Sequence, residues 1–431
     1  MKSNMADTAL CKRPATLLPR APPRISPPCV ARGAPWCTAT VRTYGRFDRS
    51  TVAGVSWNIR NAVLLVTLLA CLPTAAAQNR DFSLDLTVGT VLGGNRTVGM
   101  GGASVALAEQ ATGLGANPAA PAVRGATAND RFEWDWSLDW LNPDLGDDFD
   151  NNGQNDGTGD SAVVTAGLAF ELEKWGLGFG LTVAGRSFGE AEIGSTIGWA
   201  LLARSFGATD DVSVGVGVRA GQFTIADREG ARELVSVASV SPTAGVLWRP
   251  ADIDLRVGLS GSLPVNASAP SCDSCGELVI PERVRLPWDV AIGAAWRFGP
   301  TRWNRPIEGE FRDERALTVA ADLLVIGALG DANGIQRWMN GELQPSGRDV
   351  AVSLRGGVDL EAIPAWVRLR AGSYWEPGRL EGAGGRLHGT FGTEVRVLAF
   401  RLWRHPYRVR LSFTADLARH YGNWGFSIGF W

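Results

Sequence analysis

The chain has 431 residues, among them 53 glycines and 17 tryptophans, and its mean hydropathy is −0.01. Glycine lies well above its average use of about 7%, which fits poorly with two or three ordinary soluble domains. The formal net charge of −2 provides no basic field and argues against a nucleic-acid partner. Abundant Gly, Trp and Phe among alternating polar residues are typical of transmembrane β-barrels, in which aromatic girdles border a wall that is apolar outside and polar inside.

Residues 1–57 are rich in Arg, Pro and Cys and show no hydrophobic periodicity. A bacterial signal peptide normally begins just before its basic residue. We therefore interpret this stretch either as sequence upstream of a true start near Val52 or Val55, or as a disordered extension, and exclude it from the fold.

Residues 58–77 have the pattern of a signal peptide. Arg60 precedes the apolar run 62–72, which is too short to cross a bilayer as a helix and is followed by a small-residue cleavage site. We place the mature start at Gln78 and predict export to the outer membrane of a Gram-negative bacterium. The alternative is lipidation of Cys71, since the preceding Leu-Leu-Ala loosely matches a lipobox.

Residues 78–127 are predicted to form an N-terminal hatch, with 93–124 as its centre. This centre is crowded with Gly and Ala and is too small-sided to form a core of its own. A short helix is expected over 104–110, ending before Asn117 because a residue that precedes proline is pushed out of the helical region. We predict a plug that enters the lumen from the periplasmic end; the alternative is a glycine-rich linker.

Residues 128–431 show apolar residues at every second position, which predicts an antiparallel β-barrel wall. In 211–221, for example, four valines fall on one face, opposite Ser, Gly and Arg. The strands run longer than the usual 5 or 6 residues and suit tilted membrane strands. An even number of strands suits a closed single-chain barrel. The predicted strands are 130–140, 161–172, 175–187, 193–205, 211–225, 234–248, 252–263, 287–298, 315–328, 349–360, 365–376, 386–400, 407–418 and 422–431.

The connections 142–160, 264–286 and 329–348 are expected to face the cell exterior. The connections at the opposite end are mostly short. The exception is 299–314, which indicates either a long periplasmic turn or a misplaced strand.

The first of these outer connections contains a candidate calcium loop. Asp148, Asp150 and Asn152 match the opening of the D-x-[DN]-x-[DN]-G pattern, and Asp156 falls at its ninth position. The twelfth position is Gly159, where a calcium loop requires a bidentate Glu. The alternative is a solvated turn of Asp, Asn and Gly. No other cofactor is predicted.

Two cysteines, Cys272 and Cys275, remain after the predicted cleavage site. A single CxxC lacks the second pair that a structural zinc site needs. We predict a small loop disulfide, with free thiols as the next alternative and a redox or metal role after that.

The chain ends on Phe430 and Trp431 within a predicted strand. A terminal aromatic residue marks outer-membrane barrels for the barrel assembly machinery, which is therefore a predicted partner together with outer-membrane lipids. The apolar face that ends at Phe430 is one residue out of phase with Trp431.

The hatch and the strand pattern together resemble the FadL-type family of outer-membrane transport proteins. The resemblance is specific in the hatch, where a Gly-rich turn, an Ala-rich segment and an NPA turn follow one another. It implies a barrel of fourteen strands plugged by an N-terminal hatch, and uptake of long-chain fatty acids or other hydrophobic molecules. The residues that carry it are Gly99, Met100, Gly101, Gly102, Ala103, Ala106, Leu107, Ala108, Glu109, Asn117, Pro118 and Ala119.

Many arginines fall on the inward faces of the predicted strands, accompanied by carboxylates such as Asp322. Of these, Arg219, Arg256, Arg368 and Arg370 are candidates for contact with an amphipathic ligand, because a guanidinium pairs bidentately with a carboxylate. The alternative is that lumen charges pair with one another and fill a polar interior.

The sequence contains none of the usual catalytic motifs and only three histidines, so we do not predict an enzyme; His388 with Ser353 is the remaining candidate pair. We predict a monomeric, passive channel for hydrophobic small molecules, gated by the hatch. Two alternatives stay open: a PorV-like barrel that binds or shuttles secreted proteins, and a barrel that only anchors the envelope.

Overall fold

The computed structural model describes residues 82–87, 89–125, 131–143, 148–153, 161–188, 191–227, 233–268, 281–307, 310–402 and 405–431. The predicted N-terminal extension and signal peptide lie outside these residues, as do Cys71, Cys272, Cys275 and Asp156.

Fourteen antiparallel strands close into one barrel, with β19 paired to β2 and β8 paired to β11. The barrel strands are β2 (Phe132–Pro143), β3 (Ser161–Leu172), β4 (Trp175–Phe188), β5 (Ala191–Phe206), β6 (Val212–Asp227), β7 (Glu233–Trp248), β8 (Leu255–Ser262), β11 (Asp289–Phe298), β12 (Leu317–Ile326), β15 (Ala351–Ile363), β16 (Val367–Glu376), β17 (Arg386–Leu402), β18 (His405–Ala418) and β19 (Tyr421–Phe430).

The predicted transmembrane-type β-barrel of fourteen strands is therefore confirmed as a fold, with strand ends within three residues of those observed. The connection 299–314 holds no strand among its described residues, since β11 ends at Phe298 and β12 begins at Leu317. The strand count around it was correct, and the connection is a long turn.

The wall presents apolar side chains outward, as the alternation predicts. On β6, Val214, Val216 and Val218 are 37%, 54% and 43% exposed. Ser213, on the inward face of the same strand, is fully buried. A continuous apolar outer surface of this kind is what a bilayer covers.

Five short strands form a second sheet, in the order β14-β13-β1-β10-β9, at the end of the barrel where β2 finishes and β3 begins. We call this end the loop end and the opposite one the turn end. Periodicity in the sequence did not predict this sheet, because strands of two to four residues are too short to show a period. The strands are β1 (Ser83–Asp85), β9 (Val265–Ser268), β10 (Arg283–Leu286), β13 (Ala332–Gly334) and β14 (Pro345–Ser346).

Helices are few and short: α1 (Asn95–Gly99), α2 (Ile335–Met339) and two 3-10 turns at Ala111–Gly113 and Ala120–Ala122. No helix among the described residues has the length and apolar character needed to cross a bilayer. The helix predicted over 104–110 was wrong.

The polar surroundings explain that error. The N–H groups of Ser104 and Val105 donate to a wall carboxylate, Asp322, at 2.6 and 2.8 Å. The N–H of Gln110 donates to the carbonyl of Ala120. Asp322 thus binds two amides that a helix start would leave free, but the Leu107 N–H closes a tighter turn onto Ser104 and Gln110 bonds to Ala120, so the α-helical ladder does not form.

Candidate functional site

The barrel lumen is occupied by residues 89–125, which we call the plug segment. Its contacts with inward-facing wall residues follow one another from the loop end to the turn end. The N–H of Val91 donates to the Tyr374 hydroxyl at 3.2 Å, and Arg124 lies 3.9 Å from Glu171 near the end of β3. The plug segment thus leads into β2 at the turn end, the end that we predict to be periplasmic.

Glycines of the wall form the seats of the plug backbone. A Cβ atom added at Gly215 would lie 1.9 Å from the Pro118 carbonyl oxygen, and one added at Gly176 would lie 2.1 Å from the Pro121 carbonyl carbon. At Gly258 the nearest atom would be the Val105 oxygen, 2.4 Å away. Only a residue without a side chain permits this approach, so wall and plug fit backbone against backbone.

The predicted gating residues Gly99, Met100, Gly101 and Gly102 lie against β15, β16 and β17. Gly101 and Gly102 have φ of +60° and +78°, conformations that L side chains rarely adopt. Met100 is buried, and the Gly99 carbonyl accepts a hydrogen bond from the hydroxyl of Thr390 at 3.2 Å. This left-handed corner turns the plug segment away from α1. Its role in gating stays a prediction.

Asn117 joins the plug segment to two wall strands. Its side-chain amide donates to the carbonyls of Val246 on β7 and Leu259 on β8, at 3.1 and 3.4 Å. The same group donates to Val105 within the plug at 3.2 Å, and the Asn117 oxygen accepts from the N–H of Ala119 at 3.0 Å. The predicted NPA turn, Asn117 to Ala119, is therefore a fully buried anchor of the plug segment.

Three carboxylates of the wall accept hydrogen bonds from backbone amides of the plug segment. Asp139 accepts from the backbone N–H of Asn95 at 2.7 Å, Asp322 accepts from two plug amides, and Asp135 accepts from Ala111 at 3.0 Å. Sequence reasoning placed Asp322 on an inward face but missed Asp135 and Asp139. The alternation of 132–141 puts both on one face and could have identified them.

Two of the predicted ligand-contacting arginines pair near the plug segment. Arg219 donates to Asp289 at 2.6 Å. Arg256 pairs with Glu109 of the plug segment, donates to Asn304 at 2.8 Å, and lies 4.0 Å from the centroid of the Trp303 ring. Burial alone would raise the pKa of the Glu109 carboxyl, but Arg256 and Arg96 outweigh burial and lower it to about 2.

The other two predicted arginines belong to one buried network. Arg370 donates to Asp359 at 3.0 Å and to Glu394 at 2.9 Å. Arg368 lies 3.4 Å from both Glu361 and Glu394. Lumen charges thus pair with one another, as the alternative interpretation expected; ligand contact by these four arginines stays a prediction.

His388 lies in a second buried network, near the loop end. Its Nδ1 is 2.8 Å from Asp416 and its Nε2 is 2.8 Å from Glu376. Tyr374 stacks on the imidazole and donates to Asp416 at 2.7 Å. Ser353 donates to the Trp375 carbonyl. The structure therefore places His388 between two carboxylates and gives the Ser353 hydroxyl a backbone partner.

A small cavity of about 40 Å³ lies above the plug segment at the loop end, and we call it the outer cavity. Asp85, Thr87 and Gly89 line one side, and Arg186 and Arg379 contribute cationic groups. The Arg186 guanidinium lies 3.3 Å from the centroid of the Phe149 ring. The plug segment, the second sheet and the wall meet at the outer cavity.

The carboxylate of Asp148, a candidate calcium ligand, accepts hydrogen bonds from the backbone of its own loop. Its two carboxylate oxygens accept the backbone N–H groups of Asn152 at 2.7 Å and Gly153 at 2.9 Å, and Asp150 also accepts from Asn152. Burial raises the pKa of the Asp148 carboxyl. Among the described residues no group of three or more His, Cys, Asp or Glu side chains could hold a metal ion. Since Asp156 is not described, the calcium site stays a prediction.

The C-terminal aromatic residues face in different directions. Phe430 packs against Trp134 and Tyr407, with ring centroids 5.0 and 4.9 Å apart. Trp431 follows the last strand residue, and the Arg368 guanidinium lies 4.5 Å from its ring centroid. Trp431 is therefore out of phase with the apolar face that ends at Phe430, as predicted. Recognition by the assembly machinery stays a prediction, as does the Cys272–Cys275 disulfide.

The chain is similar to solved barrels of the FadL type. A Pseudomonas aeruginosa FadL homologue aligns with a TM-score of 0.51 and 13% identity, over 80% of this chain and 99% of that one. The monoaromatic hydrocarbon channel CymD aligns with a TM-score of 0.51 and 12% identity, over 78% and 96%. No protein-family model matches the sequence, and no curated protein sequence is significantly similar to it. At these identities the likeness shows the fold, and it confirms at that level the resemblance predicted from the sequence.

Proposed function

We propose that the protein is an outer-membrane channel through which hydrophobic small molecules pass, with the plug segment as its gate. The observation that carries this proposal is the filled lumen, in which wall glycines and wall carboxylates hold a noncovalent plug. A barrel with an apolar exterior sits in a bilayer, and passage through this lumen requires the plug to shift. The FadL homologue and the hydrocarbon channel CymD, which share the fold, support the same proposal.

The gate holds by contacts that water can replace. Plug amides bond to Asp139 and Asp322, and an intramolecular hydrogen bond contributes only about 0.5–1.5 kcal/mol net because the separated groups hydrate. Each of these hydrogen bonds can therefore break without a large loss of free energy. The chain needs no catalytic group for passive movement down a gradient, and we propose that it is not an enzyme.

The test is flux into proteoliposomes, with toluene and oleate as probes. We expect the protein to speed entry of at least one probe over protein-free vesicles and to exclude glucose. Deletion of 93–124 should admit glucose, because it empties the lumen. Equal probe entry with and without the protein contradicts channel function, and exclusion of glucose by the deletion variant contradicts gating.

Mass spectrometry of the protein purified in mild detergent separates the two sequence-based alternatives from this one. A bound hydrophobic small molecule agrees with the channel. A bound folded protein in place of a small molecule would favour the PorV-like function instead.

A further inference from the structure

We propose that β1 is a clasp that joins two outer loop hairpins over the lumen, and that it must release before a hydrophobic molecule can occupy the outer cavity. This inference rests on the proposed channel function and specifies how that channel is regulated. It follows from the position of β1 in the second sheet, from its side-chain contacts and from the size of the outer cavity.

The backbone of β1 lies between strands from two different connections. It pairs in parallel with β10 on one side, where Ser83 is opposite Arg283, and with β13 on the other, where Ser83 is opposite Ala332. β10 forms a hairpin with β9, and β13 pairs with β14. The three residues of β1 therefore join the two hairpins into one five-stranded sheet.

The side chains of β1 fix it to the molecule on both faces. Leu84 is fully buried in an apolar cluster that includes Val284 of β10 and Trp338 of α2. Asp85 is also buried; it lies 3.1 Å from Arg379 and accepts from the Ser346 hydroxyl at 2.8 Å.

The ion pair between Arg285 and Asp331, whose atoms lie 2.5 Å apart, also joins the two hairpins. Both side chains are partly exposed, and an exposed pair of this kind contributes little stability because water screens it. β1 is therefore the main connection between the hairpins.

β1 is continuous with the plug segment. Between them, the N–H of Val91 donates to Tyr374 and a Cβ added at Gly89 would lie 2.5 Å from Glu376, whereas one added at Gly93 would meet no atom within 4 Å. From α1 onward the chain is seated on the wall, as at Gly101, where an added Cβ would lie 2.5 Å from the Ser373 nitrogen. Movement that begins at β1 therefore has to free Gly89 and Val91 from β16 before it reaches the open backbone at Gly93.

The size of the outer cavity makes that movement necessary. A cavity needs roughly 10–15 Å³ for each water, and a cavity that binds benzene measures about 150 Å³. The 40 Å³ of the outer cavity therefore holds a few waters and no aromatic or alkyl molecule. Arg186 and Glu376 of barrel strands line part of it, and Asp85 lines it together with its two partners Ser346 and Arg379. Release of β1 would separate Asp85 from these partners and widen the cavity.

The decisive experiment locks the clasp. In the background Cys272→Ser with Cys275→Ser, the pair Leu84→Cys and Val284→Cys places two thiols at paired positions of β1 and β10. Neighbouring strands lie about 4.8 Å apart, within the Cα separation of disulfides. Toluene entry into proteoliposomes is measured for oxidised and reduced protein. We expect oxidation to lower the entry rate at least tenfold and reduction to restore it.

The matched control places a disulfide within one hairpin. Val265→Cys with Leu286→Cys joins paired positions of β9 and β10, and neither residue is paired with β1. Oxidation of this control should leave toluene entry unchanged. Equal entry for the oxidised and reduced forms of the Leu84 pair overturns the clasp, as does an equal loss in the control. No entry in the reduced forms and in the parent protein contradicts the channel function itself, so the two failures are distinguishable.

A second variant tests the clasp without a cross-link. Asp85→Asn removes the ion pair with Arg379 and keeps the side-chain shape. We expect amide hydrogen exchange to rise at least fivefold in both 283–286 and 332–334, while the barrel strands exchange as before. Unchanged exchange in these two stretches, in a folded variant, overturns the proposal, and so does a rise in one hairpin alone.

Discussion

A single added methyl group on the wall tests whether the plug segment is seated as described. In Gly215→Ala the new Cβ would lie 1.9 Å from the Pro118 carbonyl oxygen and 2.6 Å from the Ala119 nitrogen. Ordinary van der Waals contact begins at 3.4 Å, so the plug or β6 must move by 3.4 − 1.9 = 1.5 Å. The atoms that meet the methyl group are backbone, which no side-chain rotation can move aside.

Two opposing effects set the size of the change. Overpacking of a well-packed interior costs about 1–3 kcal/mol. Replacing a strand glycine by alanine gains roughly 0.5–1 kcal/mol, because the unfolded chain loses freedom. We therefore expect the free energy of unfolding of Gly215→Ala to fall by about 0.5–2 kcal/mol. If the plug leaves its seat instead, the barrel retains its stability and the lumen leaks.

The assay combines unfolding in detergent with glucose leakage from proteoliposomes. The control Gly389→Ala lies on the wall, where an added Cβ meets no atom within 4 Å, so it reports the backbone gain alone. Relative to that control, Gly215→Ala should lose stability, gain leakage or show both. A variant that matches Gly389→Ala in both measurements would refute the seating of the plug on wall glycines.

Three further predictions concern polar anchors. Asn117→Ala leaves buried carbonyls without donors, and denaturant titration should show a loss of about 2–3 kcal/mol. Arg370→Met removes the arginine partner of buried Asp359 and one of the arginines that pair with Glu394, and should cost about 3–5 kcal/mol. The half-exposed control Arg305→Met should change stability by less than about 0.5 kcal/mol; similar losses in both would argue against the buried network. The Glu109–Arg256 pair lowers the carboxyl pKa from its ordinary 4.5 to about 2, so its stabilisation is complete above pH 4.5 and is lost as the pH falls toward 2. Unfolding midpoints measured across that range should fall more steeply for the parent than for Glu109→Gln, and parallel curves would contradict the pair.

The barrel could be predicted from the sequence because its signal is long and local. Alternation with period two extends over each strand, and a shift by one residue would turn the apolar set inward. On β6 the four-valine face alone fixes which residues meet lipid. The second sheet could not be predicted, since the two or three residues of β13, β14 and β1 carry no period. Their pairing depends on where the barrel brings distant loops.

The sequence predicted which residues of the candidate site face the lumen, but not which residues they pair with. The inward position of Arg256 and Arg370 follows from alternation. Their partners depend on the path of the plug segment and on the stagger of the strands. Arg256 meets Glu109, which lies 147 positions away in the sequence. The N–H of Gln110 donates to the Ala120 carbonyl, which replaces a bond that a helix over 104–110 would need. A contact within the folded plug thus overrides the local preference of its sequence.

The plug segment and the wall are stabilised by different forces, and this difference makes a gate possible. The wall is held by continuous ladders of backbone hydrogen bonds that no water reaches inside a bilayer, so opening a strand pair there costs several kcal/mol for each bare group. The plug buries small side chains such as Ala103 and Ala119 beside larger ones such as Met100 and Leu107, and exposure of their apolar area costs roughly 25 cal/mol per Å². Its polar anchors, such as Asp139 and Asn95, regain water when they part. If the proposed gate opens, we therefore expect displacement of the plug and the clasp, with the closed barrel intact around them.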